Sequence, residues 1–103
     1  YDLLTALARD EWGFEGIVMT DWGTTGGMEM EQGKTFKYGC SNAAGCIKAG
    51  NDLIMPGSQN DVDEIMKSVG AKEGEVECPL TLEELQTCAG RILRMVASSF
   101  IYP

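Results

Sequence analysis

Two aspartates stand beside the short apolar runs of this 103-residue sequence. Asp21 follows the run from Gly16 to Thr20, and Asp52 opens the run that ends at Met55. An enzyme can use a carboxylate as a nucleophile or as a general acid or base. An aspartate after a strand is also a common turn residue or helix N-cap, which is the plain structural alternative for Asp21. Asp52 suits a structural role better, because it can accept backbone hydrogen bonds where its run begins.

Helices alternate with the two apolar runs. Helical spacing of apolar residues predicts a first helix over about residues 2–11, and the β-branched run 16–20 predicts a strand buried on both faces. A second helix, capped by Ser41 and ended at Gly50, precedes a second strand over residues 52–55. This order is typical of parallel βα units. Two such strands would leave both sheet edges bare, so the missing strands are expected elsewhere.

Two further helices follow. The third is predicted from an Asn60 cap through Val69 to a stop at Gly70, with a solvated first turn. The last helix has a capping box and a hydrophobic staple at its start, and an apolar face opposite two arginines. Its residues are Thr81 with Glu84 for the box, Leu80 with Leu85 for the staple, Leu85, Cys88, Ala89, Ile92, Val96 and Ser99 for the face, and Arg91 and Arg94 opposite.

The composition excludes several classes of partner. Eight Lys and Arg against sixteen Asp and Glu leave a net charge of −8, which predicts a surface that repels nucleic acid and anionic lipid. No apolar run reaches the roughly 18 to 20 residues of a membrane span, and no signal segment is evident. We therefore expect no nucleic-acid or membrane partner and a cytoplasmic location.

The cysteines do not have the spacing of a metal site. The sequence contains no histidine and no C-x-x-C pair, so we expect no zinc, and no other metal or cofactor is indicated. Cys46 and Cys88 fall beside apolar helical residues, which favours small buried thiols, although a disulfide stays open. From Gly23 to Gly39 the sequence is rich in glycine and predicts a long irregular loop.

Three segments resemble, in order, the landmarks of glycoside hydrolase family 3. The family's Arg-x-Glu-Trp-Gly-Phe-x-Gly segment and Ser-Asp-Trp strand end are matched by Arg9-Asp10-Glu11-Trp12-Gly13-Phe14-x-Gly16-x-Val18-x-Thr20-Asp21-Trp22. Its Ala-Gly-x-Asp-Leu-x-Met-Pro-Gly segment is matched by Ala49-Gly50-Asn51-Asp52-Leu53-x-Met55-Pro56-Gly57, and the third landmark is Arg91-Ile92-Leu93. Thr20 stands where serine is usual and keeps the hydroxyl.

The resemblance implies an α/β fold that is a fragment of a (β/α)8 barrel, with about two parallel strands and three to four helices. Gly16 to Thr20 would be the seventh strand and Leu53 to Met55 part of the eighth, so residues 1–103 would close the barrel domain. Active sites of these barrels lie at the carboxyl ends of the strands, where the pattern alone also places Asp21. The remaining barrel and a second domain are expected outside this chain.

The activity that the resemblance implies is retaining β-glycoside hydrolysis, with β-glucosidase as the commonest family activity. Asp21 matches the nucleophile that forms the covalent glycosyl-enzyme, and Trp22 would contact the sugar, with plain core packing as its alternative. The acid/base and the residues that read the sugar hydroxyls are not identifiable here. The alternative function is a structural or assembly module that completes a larger barrel without turnover of its own.

Overall fold

Helices surround two extended segments in the computed structural model of this chain, which describes residues 1–25 and 41–99. The predicted first helix is confirmed, although its backbone bonds are of the wider π type. Most of the predicted loop over residues 23–39 lies outside the described residues, as does Cys40. The helices are α1 (Asp2–Glu11), α2 (Ala43–Ala49), α3 (Gln59–Ser68) and α4 (Leu82–Ala97).

The two predicted strands run parallel but are not confirmed as strands. Between them the described residues form one isolated parallel bridge, from Met19 to Leu53. The reason lies in the bonding: Asp52 Oδ2 accepts from the Val18 N–H at 3.0 Å, and Thr20 Oγ1 accepts from the Met55 N–H at 2.9 Å. Side-chain oxygens thus take bonds that a regular ladder makes between backbones. We call the segments s1 (residues 16–20) and s2 (residues 52–55).

Two helix caps differ from the prediction. Asn42 rather than Ser41 caps α2, and its side chain accepts from the Gly45 N–H at 2.6 Å. Ser58 rather than Asn60 caps α3, where its hydroxyl accepts from the Asp61 N–H at 3.2 Å. A cap needs extended backbone so that its side chain folds back onto the third helical residue. Asn60 already lies in the first turn of α3 and cannot do this.

The first turn of α3 is not simply solvated. Asp61 is buried, and its Oδ2 accepts a hydrogen bond of 2.7 Å from the Ser58 hydroxyl. Burial opposes ionisation of Asp61, but hydrogen bonds from Ser58 and Thr25 outweigh it, so the pKa of Asp61 is lowered. Glu64 reaches the amino end of α2, where it accepts from the Ala43 N–H at 3.3 Å. Asp61 and Glu64 therefore bind neighbouring segments, in addition to lying near the positive end of the α3 dipole.

A small core lies between α2, α3 and α4. Cys46 and Cys88 are buried as predicted, and with Cys78 they are free thiols whose pKa values burial raises. Leu80 is 2% exposed and packs with Leu85, as a hydrophobic staple requires. The core cluster consists of Ala44, Ile47, Leu80 and Cys88, with Ile65, Val69, Cys78, Leu85 and Ile92 packed against it.

Helix α1 packs across the end of α2 at Gly50. This residue has φ of 114°, and a Cβ there would lie 2.7 Å from Thr5 Oγ1, so only glycine fits both the backbone and the contact. The Thr5 hydroxyl donates to the Ala49 C=O at 2.9 Å and fastens α1 in place. No helix among the described residues is long and apolar enough to cross a membrane.

The capping box of α4 is confirmed and supports a local prediction. Thr81 Oγ1 accepts from the Glu84 N–H at 3.1 Å, and Glu84 Oε2 accepts from the Thr81 N–H at 2.9 Å. In Thr81→Ala we expect the first turn of α4 to lose about 1 kcal/mol of local stability. Amide hydrogen exchange of its first turn should then accelerate about fivefold.

Thr87→Ala is the matched control for this prediction. Thr87 is exposed in the middle of the same helix, where alanine is a slightly better helix former. We expect exchange in the first turn of α4 to stay unchanged in this variant. Equal exchange in the two variants would show that the Thr81 hydroxyl contributes nothing as a cap.

Candidate active site

Asp21 lies immediately beyond s1, where the chain turns through Trp22 and Gly23. Its side chain is exposed, and Oδ1 accepts a hydrogen bond of 2.6 Å from the Trp22 N–H. Oδ2 accepts no hydrogen bond from the described residues. The Thr24 hydroxyl donates to the Asp21 C=O at 2.9 Å and closes the turn. The backbone thus holds one carboxylate oxygen of an exposed side chain.

Trp22 lies beside this carboxylate and is exposed in the described part of the chain. Its side chain is 59% exposed. An exposed indole next to a carboxylate is an arrangement that suits contact with the apolar face of a sugar.

Met55 anchors the chain on both sides of Asp21. Its N–H donates to Thr20 Oγ1 at 2.9 Å, and its C=O accepts from the Gly23 N–H at 2.9 Å. Thr20 is 6% exposed, so the first of these bonds is shielded from water. The segment that presents Asp21 is consequently tied to s2 before and after the carboxylate.

Asp52 is the centre of a buried ion cluster at the other end of the paired segments. Its side chain is fully buried, with Oδ2 2.6 Å from Arg9 Nη2 and Oδ1 3.1 Å from Arg91 Nη1. It also accepts the Val18 N–H, which confirms the expectation that Asp52 binds backbone at the start of its run. Arg9 continues the network by donating to the Gly16 and Gly50 carbonyl groups.

The orientation of Arg91 corrects the sequence analysis, which placed this residue on the wet side of α4. Only 16% of its side chain is exposed, because its long stem carries the guanidinium back to Asp52. Arg9, Asp52 and Arg91 belong to the three separate sequence landmarks, and the fold joins them in one cluster. Sequence reasoning missed this cluster, although a buried aspartate generally requires cationic partners.

The described cavities do not surround Asp21. A cleft of about 600 Å³ lies at the amino end of s1, lined by residues that include Arg9, Phe14, Ile17 and Arg91. A second, apolar groove of about 440 Å³ lies beside α3 and α4. Neither is lined by Asp21 or Trp22. Neither of these two cavities therefore encloses Asp21.

Comparison with known proteins assigns the family. The profile described as "Glycosyl hydrolase family 3 N terminal domain" matches residues 1–95. This chain therefore belongs to glycosyl hydrolase family 3, within its N-terminal domain, which is of the TIM-barrel type. The family resemblance seen in the sequence is confirmed, and the parallel pairing of s1 and s2 is compatible with that barrel class.

The chain is similar to short stretches of much longer proteins. It is 38% identical to "Beta-glucosidase" of Rhizobium radiobacter over 95 residues, which cover 91% of this chain and 9% of that protein. "Beta-glucosidase A" of Butyrivibrio fibrisolvens is 43% identical over 48% of this chain and 6% of its own length. "Exo-alpha-(1->6)-L-arabinopyranosidase" of Bifidobacterium breve is 42% identical over 65% of this chain and 7% of its own length. The chain thus spans less than a tenth of the length of these relatives.

Proposed function

We propose that this chain is the closing part, over residues 1–103, of the barrel domain of a retaining β-glycosidase in which Asp21 is the nucleophile. The observation that carries this proposal is the place of Asp21, an exposed carboxylate beyond a segment paired in parallel, within a motif of the assigned family. Carboxyl ends of strands form the active-site face of such barrels. Trp22 supplies an aromatic surface beside the reacting carbon.

Retaining hydrolysis would proceed in two displacements. Asp21 Oδ2 attacks the anomeric carbon, the bond to the leaving oxygen breaks, and an acid group protonates that oxygen. The same group then removes a proton from water, which attacks the anomeric carbon and releases Asp21. The second carboxyl must stand about 5 to 5.5 Å from the first. Asp52 is unsuited to this role, because its side chain is fully buried between two arginines.

Unpaired backbone edges support the view that the chain is part of a larger barrel. The N–H and C=O groups of Ile17, Met19 and Ile54 form no hydrogen bonds with the described residues, so both outer edges of the s1 and s2 pair are unpaired within residues 1–25 and 41–99. Bare edges are costly in a folded protein and are covered when neighbouring strands pair with them. The remaining barrel strands, with the acid/base group, would therefore be supplied from outside this chain.

Large exposed apolar side chains support the same conclusion. Leu3, Met66 and Leu93 are each more than 60% exposed, and the apolar groove beside α3 and α4 is open. The predicted apolar face of α4 is likewise only partly covered, with Val96 47% exposed. An open apolar groove is typical of a surface that binds a partner. We propose the rest of the same barrel as that partner and a carbohydrate as the substrate.

The names of the relatives supply two candidate substrates. Two of the relatives described above are named β-glucosidases, so a terminal β-D-glucosyl residue is the first candidate. An α-L-arabinopyranosyl residue is the second, because the relative from Bifidobacterium breve carries that activity in its name. Turnover of the two 4-nitrophenyl glycosides by the full-length protein would decide between them.

Labelling with a 2-deoxy-2-fluoro glucoside tests the role of Asp21. The fluorine slows hydrolysis of the covalent intermediate, so the sugar remains on the nucleophile and peptide mass analysis can locate it. We expect the label on Asp21 in the full-length protein and no label on the isolated chain. A label on another carboxylate of the full-length protein would contradict the assignment.

A further inference from the structure

The Thr20 side chain replaces a backbone acceptor immediately before Asp21. Its N–H donates to the Leu53 C=O at 3.0 Å, as in an ordinary parallel pair, but its Oγ1 rather than its carbonyl accepts from the Met55 N–H. The residue is 6% exposed. At Thr20, the last residue before Asp21, the acceptor in the pairing of s1 with s2 is therefore a side-chain oxygen and no longer a backbone oxygen.

The use of the Thr20 hydroxyl in place of the Thr20 carbonyl as acceptor affects the path of the chain into Asp21. A carbonyl that bonded to Met55 would hold the Thr20–Asp21 peptide in the plane of the pair. With the hydroxyl in that place, the peptide is released from the ladder and the chain turns at once. The turn ends at Gly23, whose N–H returns to the Met55 C=O at 2.9 Å.

We propose that Thr20 is a positioning residue whose hydroxyl sets the direction from which the Asp21 carboxylate approaches the sugar. The inference rests on the proposed role of Asp21 as nucleophile. Thr20 acts through Asp21 and through the backbone. A misplacement of about 1 Å at a reacting group can slow a reaction about 100-fold. Loss of the hydroxyl is therefore expected to slow attack and to leave sugar binding intact.

Thr20→Val in the full-length protein tests the inference, since valine keeps the shape and removes the oxygen. The measurement is inactivation by a 2-deoxy-2-fluoro glucoside, which separates the rate constant of attack from the binding constant. We expect the rate constant to fall about 10- to 100-fold with the binding constant within about twofold of wild type. Thr20→Ser, which retains the hydroxyl, should restore the wild-type rate constant.

Thr5→Val is the matched control. The Thr5 hydroxyl also makes one 2.9 Å bond to a neighbouring backbone group, but on α1 and away from Asp21. Its loss should lower stability without changing the inactivation rate constant. If Thr20→Val does not fold, Thr20→Ala removes the same oxygen with less bulk and carries the same expectation.

The outcomes separate the two proposals. A label on another carboxylate of the wild-type protein would overturn the role of Asp21 and the inference together. A label on Asp21 with an unchanged rate constant in Thr20→Val or Thr20→Ala would overturn the inference alone. Equal slowing in Thr5→Val would also overturn it, because the effect would then be general loosening. Slowing confined to the Thr20 variants, with recovery in Thr20→Ser, would establish it.

Discussion

On the proposed assignment of Asp21 as nucleophile, its replacement by asparagine in the full-length protein should lower kcat by on the order of 10⁴-fold or more, because the covalent nucleophile is lost. The amide has no charge with which to attack the anomeric carbon, although it keeps the size of the carboxylate. The backbone contacts of the site should survive, because Thr20, Gly23 and Met55 hold the turn independently of the carboxylate. Steady-state hydrolysis of a 4-nitrophenyl glycoside measures the effect.

Asp10→Asn is the control for this loss of charge. Asp10 is exposed on α1, lies within the same family segment, and should tolerate the change with kcat near wild type. A further readout is specific to a nucleophile: in Asp21→Gly, added azide should attack the vacated face and yield a glycosyl azide of inverted configuration. Near-wild-type turnover in Asp21→Asn would refute the assignment.

Removal of the Asp52 carboxylate should have the largest effect on stability. In Asp52→Ala, Arg9 and Arg91 remain buried without their shared anion, and the Val18 N–H loses its acceptor. Breaking a buried ion pair from one side costs about 3 to 5 kcal/mol. We expect the free energy of unfolding of the barrel domain to fall by that amount, measured by denaturant titration and by hydrogen exchange in s1 and s2.

An exposed ion pair provides the contrast to this cluster. Lys48 and Glu84 lie 3.6 Å apart with 45% and 35% of their side chains exposed, so Lys48→Gln should cost less than about 1 kcal/mol. Replacing Asp52, Arg9 and Arg91 together with apolar residues should recover part of the stability, because no uncompensated charge remains while the Val18 N–H still lacks its acceptor. An equal loss of unfolding free energy in Asp52→Ala and Lys48→Gln would show that burial of the cluster does not increase its contribution to stability.

Local features were predictable from the sequence where neighbouring residues decide them. The capping box at Thr81 and Glu84 and the bounds of α1 were both predicted and confirmed, because each depends on residues within one or two turns. The caps of α2 and α3 were predicted wrongly. Several polar residues compete at those starts, and the extended backbone that lets Asn42 and Ser58 act as caps does not follow from their residue types alone.

The candidate carboxylate and the buried ion cluster differ in the same way. Asp21 stood out because an aspartate at the end of an apolar run is a local pattern and part of a long motif. The cluster of Arg9, Asp52 and Arg91 did not stand out, since Asp52 lies 43 residues from Arg9 and 39 residues from Arg91 along the chain. Helical periodicity even placed Arg91 on the solvent side, because periodicity gives the direction of the Cα–Cβ bond and not the reach of a long side chain.

The sequence by itself determined the family, the alternation of helices with apolar runs and the candidate carboxylate, because motifs and periodicity are properties of adjacent residues. Only the tertiary structure decided which side chains take the place of backbone in the pairing of s1 and s2, and which distant charges meet. Thr20 and Asp52 accept bonds there that no local rule requires. Such contacts depend on the separation of two segments across more than thirty residues, and that separation is set by the packing of the whole unit.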